Sequence, residues 1–166
     1  VQFASSNSVK KLTIVGGYEA HKVTRLLKDN NVSVMLQRVH TRPELEDHDY
    51  DYTFKQAKAL VDAGVLVSLE TSGQMERMNS RNLPFYAGTT VAYGLTKEQA
   101  LQLITSNAAK IMGIDDMYGT LETGKSATLF ISEGDALDMR TNLVTHAFID
   151  GRALSLESHQ TTLWKR

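Results

Sequence analysis

The sequence predicts an α/β fold in which a short parallel sheet gives way to a helix and then to a small β-layer. Three observations carry this. Between Leu12 and Tyr93, apolar runs of strand length alternate with helical patterns, and that order implies parallel strands joined by right-handed crossovers. From Thr96 to Gly113 a capped helical pattern follows. Two apolar runs come next, Ala127–Ile131 and Thr145–Ile149, with a third, Ala153–Leu156, beyond Asp150-Gly151. That dipeptide is a hairpin signal, because both residues accept positive φ.

The elements follow in order. Val1–Lys10 is polar and serine-rich, the end of a preceding helix or a frayed terminus. Leu12–Val15 is the first strand, stopped by Gly16-Gly17. Glu19–Lys28 is a helix with Val23, Leu26 and Leu27 turned inward, and Asn30-Asn31 ends it. Val32–Val39 is the second strand, and His40–Asp51 an acidic loop containing Pro43. Tyr52–Asp62 is a helix closed by Ala63-Gly64. Val65–Glu70 is the third strand, with Val65, Val67 and Leu69 on one face and Leu66, Ser68, Glu70 and Ser72 on the other. Thr71–Arg81 is a loop, and Asn82–Tyr93 a helix with Pro84 in its first turn, where a missing N–H is harmless. Thr96 and Gln99 have capping-box spacing. Ala100, Leu101, Ile104, Ala108, Ile111 and Met112 then mark one buried helix face, and Gly113 closes it in a left-handed conformation.

Composition narrows the functional classes. The 166 residues are 42% hydrophobic and 22% charged, the balance of a soluble globular protein with a core of its own. A net charge of −1 gives no electrostatic footprint for nucleic acid or an anionic membrane. Cysteine is absent, which removes disulfide and thiolate chemistry. No run reaches the roughly 20 apolar residues of a membrane helix, and no secretory signal is legible. The expectation is a soluble chain, with cytoplasm and periplasm both open. A start at Val1 rather than Met points to processing or to a segment of a longer protein.

In a parallel α/β architecture, chemistry gathers beyond the carboxyl ends of the strands. Those ends are Gly16-Gly17, Arg38–His40 and Glu70–Ser72. His40 and Glu70 are the catalytic candidates; a water-facing strand end is the plain alternative for each. Arg38 is a candidate to pair with Glu70 or to meet an acidic substrate, and Ser72 shares Glu70's face. Gly17 either offers backbone amides to an anion or serves a tight turn. His48 stands among Asp47, Asp49 and Asp51, a pattern read as a solvated acidic turn rather than a metal cluster. His21 reads as a surface residue, and His146 and His159 receive no role. Lys125 lies in Gly-Lys-Ser, but Gly119 and Gly124 do not have phosphate-loop spacing, so no nucleotide site is read.

Four motifs in order carry a family resemblance: Gly-Leu-Thr-x-Glu-x-Ala-Leu, Ile-Thr-x-Asn-x-Ala-x-x-Met-Gly, Gly-x-Leu-Glu-x-Gly-Lys and Phe-Ile-Asp-Gly-Arg. Together they resemble the carboxyl-terminal portion of metal-dependent amidohydrolases, in the branch related to imidazolonepropionases and prolidase-like enzymes. The resemblance runs from about Leu12 to Leu156. It implies that residues 1–115 are the sixth, seventh and eighth units of a (β/α)8 barrel, and that 116–166 form a β-layer and tail belonging to a composite β-sandwich. It also implies hydrolysis of carbon–nitrogen bonds in a small amide-type substrate by metal-activated water.

Two positions depart from the pattern. Gly16 stands where many members carry a histidine ligand, and Ser72 where many carry an aspartate. No His-x-His pair occurs in the chain. The expectation is therefore no metal in this chain, with zinc only in a full-length active relative, and an isolated chain without activity. The alternative is a degenerate, metal-free relative that serves as a binding or assembly module. As partner, the open parallel sheet suggests a second copy or a missing amino-terminal part.

Overall fold

The computed structural model describes residues 1–37, 39–72 and 76–165. A short helix α1 (Gln2–Ser6) precedes strand β1 (Thr13–Gly16). A 3-10 turn (Ala20–Val23) leads into α2 (Thr24–Asp29), then β2 (Ser33–Leu36), α3 (Tyr52–Asp62) and β3 (Val67–Leu69). A second 3-10 segment (Glu76–Asn82) runs into α4 (Leu83–Ala92), followed by α5 (Lys97–Gln102) and α6 (Ser106–Met112). Strands β4 (Leu129–Ser132), β5 (Val144–Ile149) and β6 (Arg152–Ala153) come next, with helix α7 (His159–Trp164) after them.

β1, β2 and β3 form a parallel sheet in that order, with Ile14 opposite Val34 and Val34 opposite Val67. Period-two alternation then sorts the faces. Ile14, Val34, Leu36, Val67 and Leu69 turn to the helices, where Leu27, Ala57, Leu60 and Ala87 complete the core. Val15, Met35 and Ser68 share the other face. Val15 is 60% exposed there while Ser68 is fully buried. The β3 end of that face is therefore covered and the β1 end is open.

Along its outer edge β3 is met by α5 and α6. One continuous helix was expected over 96–113, but it breaks at Leu103–Thr105. Thr105 has φ −125 and ψ −97, and its hydroxyl donates back to the Leu101 carbonyl at 2.8 Å. Such back-bonding competes with the helix ladder. The break frees the Leu103 carbonyl to accept from the Leu69 amide at 3.1 Å, and the Asn107 side chain donates to the Val67 carbonyl at 3.0 Å. It also rotates the helix face: Leu103, Ala109 and Ile111 are buried, whereas Leu101 and Met112 are exposed. A similar phase error affects α2. Its 3-10 start winds at three residues per turn, so Leu27 is buried but Val23 and Leu26 are each 45% exposed.

The capping box is present, with the Gln99 amide donating to Thr96 Oγ1 at 3.1 Å and the Thr96 amide to Gln99 Oε1 at 2.9 Å. Gly113 ends α6 at φ +71. β4, β5 and β6 form a separate antiparallel sheet. Asp150 and Gly151, at φ +47 and +77, make the β5–β6 turn. Lys125 ties the segment before β4 together, donating to the Asp115 carbonyl at 2.8 Å and Thr120 Oγ1 at 2.6 Å.

Candidate functional site at the strand ends

The first strand end is a glycine turn. Gly16 and Gly17 have φ +91 and +56, in the region where a side chain is strained. A Cβ on Gly17 would lie 2.8 Å from Val34 Cγ1. The third strand end holds the carboxylate. The Glu70 amide extends the sheet by donating to the Leu36 carbonyl at 2.8 Å. Its side chain then curls forward, so that Oε2 accepts from the Ser72 amide. The Glu70 side chain is buried, and its Oε1 has no hydrogen-bond partner, nor has the hydroxyl of Ser68 two residues earlier on the same face. Glu70 and Ser72 are thus joined through a backbone amide, and Ser72's own side chain is exposed.

His40 is placed differently. It is edge-on to Tyr86, with ring centroids 4.9 Å apart, and to Phe54 at 5.9 Å. Its Nε2 meets Thr89 Oγ1. These partners belong to α3 and α4, the helices that cover the sheet. His40 therefore lines a cleft of about 460 Å³ on the outer side of α4, closed by the segment between β4 and β5. That segment is held by paired charges. Lys97 meets Asp135 at 2.6 Å, and Arg140 makes hydrogen bonds that pull the Asp138 carboxyl down to about 2. Gly88 lets the Leu137 carbonyl pack against α4, since a Cβ there would be 2.1 Å from its oxygen. Arg38 lies outside the described residues.

The histidines read as peripheral form an unforeseen cluster. His21 is not a free surface residue, and His48 lies in a turn whose acidic neighbours Asp47 and Asp49 are exposed while its own ring turns inward. Both are half-buried beside the glycine turn, His48 packing on Tyr18 and Tyr52 and His21 on Tyr52. Spacing could not reveal this, because the four rings come from the β1 exit, the 3-10 turn, the loop and α3. Among the described residues, no three His, Cys, Asp or Glu side chains are grouped to hold a metal ion. With glycine at the end of β1 and the Glu70 carboxylate turned onto a neighbouring amide, these donors do not fit a catalytic metal by themselves. No described helix is long and apolar enough to cross a membrane.

Comparison with known proteins follows the same outline. A sequence model of the amidohydrolase family matches residues 16–154. Imidazolonepropionase of Flavobacterium psychrophilum is 28% identical over 108 residues, covering 61% of this chain and 26% of that protein. Among solved structures, an amidohydrolase from Thermotoga maritima MSB8 superposes with a TM-score of 0.80 at 28% identity, over 93% of this chain and 39% of that one. A prolidase complexed with N-methylphosphonate-L-proline superposes at 0.63 with 19% identity, over 86% of this chain and 40% of its own, a likeness of fold alone. The chain spans about a quarter of the length of the curated relative and about two fifths of the structural ones.

Proposed function

Because the chain belongs to the amidohydrolase family, matched over residues 16–154, we propose that it forms the carboxyl-terminal part of a hydrolase acting on carbon–nitrogen bonds. In this reading β1, β2 and β3 are the last three strands of a (β/α)8 barrel, and β4–β6 belong to a separate β-layer, with the division near residue 115. The substrate is a small amide, cyclic as in imidazolonepropionate or dipeptide-like. The observation that carries the reading is the likeness to the Thermotoga amidohydrolase, at 28% identity over 93% of this chain.

Within that reading Glu70 stands at the rim in a useful state. Ser72's amide orients one carboxylate oxygen, and the other has no partner. Such an oxygen can accept a hydrogen bond from a substrate amide N–H, or take a proton from the attacking water. Gly17 lets backbone approach closely and Ser72 contributes a rim hydroxyl, whereas His40 faces Tyr86 and Thr89 on α4. A metal, when bound in a full-length relative, supplies the activated water; this chain's own residues supply orientation and proton handling only. A second reading, a metal-free binding or assembly module, is favoured by Gly16 and by the engagement of Glu70 with its own chain.

Turnover of imidazolonepropionate and of dipeptides tests this. The expected result is activity in the intact polypeptide that carries this sequence, lowered about 100-fold or more in kcat by Glu70→Gln. The 166-residue chain alone is expected to give none, because three of eight loops cannot position water and substrate together. Unchanged turnover in Glu70→Gln would remove Glu70 from the site. Ligand binding without turnover in the intact polypeptide would establish the binding module.

A further inference from the structure

Four rings meet just beyond the glycine turn. His48 lies face to face on Tyr52, with centroids 3.8 Å apart and planes 12° from parallel. Tyr18 stacks against His48 at 5.8 Å, and His21 meets Tyr52 edge-on at 5.0 Å. Hydrogen bonds then tie the His48 imidazole to the strand exit. Tyr18 Oη accepts from the Glu44 amide at 2.8 Å, which leaves its own proton able to donate to His48 Nδ1, 3.1 Å away, when the imidazole carries its proton on Nε2. Gln56 holds the same tyrosine from α3, through its Nε2 and the Tyr18 carbonyl.

The opposite side of the cluster also disfavours charge. His21 Nδ1 is buried without a hydrogen-bond partner. Burial, assisted by Lys22, holds His21 below its ordinary value. The groups facing these imidazoles are few. The 3-10 turn and the residue before it present Glu19 and Lys22, paired at 2.6 Å. α3 presents Tyr52, and Asp51 at its start is drawn to Lys55 at 2.7 Å. The loop presents Glu44 through its backbone amide. Glu19 is the group that favours a charged His21, and Lys22 largely occupies it.

We propose that this ring cluster is a pH-operated latch that fastens the 40–51 segment to the glycine turn at the end of β1. When neutral, His48 accepts from Tyr18, Tyr18 accepts from Glu44, and the loop is tied to the strand exit. A proton on His48 Nδ1 takes away the acceptor for the Tyr18 hydroxyl. A proton on His21 places a charged N–H where no acceptor stands. The sign follows from linkage at His21: burial holds that imidazole below its ordinary value, so the open state binds its proton more tightly. The closed latch is thus fully favoured above about pH 6.5 and loses ground as pH falls below it. The latched segment begins at His40, so release would loosen the rim beside β2. This inference does not depend on the proposed hydrolase activity.

Amide hydrogen exchange of the 166-residue chain reads the latch directly. Between about pH 7.5 and about pH 5.5, exchange corrected for its intrinsic rate should rise about tenfold for residues 41–51 and hardly at all for β2 and the middle of α3. The double variant His21→Phe/His48→Phe keeps the rings and removes the titrating nitrogens, so its loop exchange should become pH-independent. If that variant does not fold, histidine nitrogen chemical shifts of the unaltered chain decide instead: at neutral pH His48 should show the Nε2–H form. Equal loop protection at both pH values, an undiminished pH response in the double variant, or an Nδ1–H tautomer for His48 would each overturn the proposal.

Discussion

Gly17 is the residue where backbone and packing constrain the chain together. Its φ of +56 already strains any residue with a side chain, and an added Cβ would press on Val34 Cγ1 at 2.8 Å and Ala20 Cβ at 3.4 Å. Gly17→Ala should therefore lower stability by about 1–3 kcal/mol. Urea unfolding should show this as a lower midpoint with an unchanged slope; an unshifted midpoint would mean that the turn relaxes around the methyl group. This turn was legible, because a glycine pair ending an apolar run has few other uses. Glu70 was legible only as an address. Alternation assigns its face, but nothing in the alternation reveals that Ser68 and Glu70 are buried while Val15 on the same sheet stays exposed. The ring cluster was not legible at all, since its members are 3 to 34 positions apart with no common period.

At the scale of elements, the α5–α6 break does structural work that an unbroken helix could not. Leu103's carbonyl and Asn107's amide reach the outer edge of β3, an edge that would otherwise present unpaired backbone groups. Asn107→Ala leaves the buried Val67 carbonyl without its side-chain donor, at a cost of about 1–3 kcal/mol. Thr96→Ala removes the cap of an exposed helix start, at a cost of about 1 kcal/mol. Thermal unfolding of the two variants should therefore rank Asn107→Ala as the more damaging. The reverse order would show that the break is not anchored through the sheet edge. Sequence periodicity registered the apolar content of this stretch but not its break, because Thr105's back-bond and the waiting strand edge are not properties of spacing.

For the whole molecule, two small sheets leave much apolar surface in water. Val15 on the first sheet, Phe130 and Ile131 on the second, and Leu121 and Trp164 outside both are exposed. Burying a large apolar side chain is worth about 1.5–3 kcal/mol, which is large against a domain stability of about 5–15 kcal/mol. At the outer edge of β3, α5 and α6 supply backbone partners, so in the open parallel sheet β1 is the edge left for association. We propose self-association through that side in the isolated chain. Sedimentation velocity across a concentration series should show a dimer forming as concentration rises. A sedimentation coefficient that stays at the monomer value throughout would exclude it.

The sequence by itself determined most of the strand and helix stretches, their parallel order, the glycine turn and the capping box, and its ordered motifs carry the resemblance to the family. The structural readings rest on local spacing or backbone preference, quantities that survive without knowledge of neighbours. Only the tertiary structure decided which face of each helix is buried, how β3 is covered, and where the histidines go. His40 turns to Tyr86 and Thr89 on α4, and His21 and His48 both pack on Tyr52 from separate segments. Those outcomes depend on a helix phase set by a 3-10 turn and on a break that answers a strand edge. Both arise from contacts between residues far apart in the chain, and no periodicity within one element encodes them.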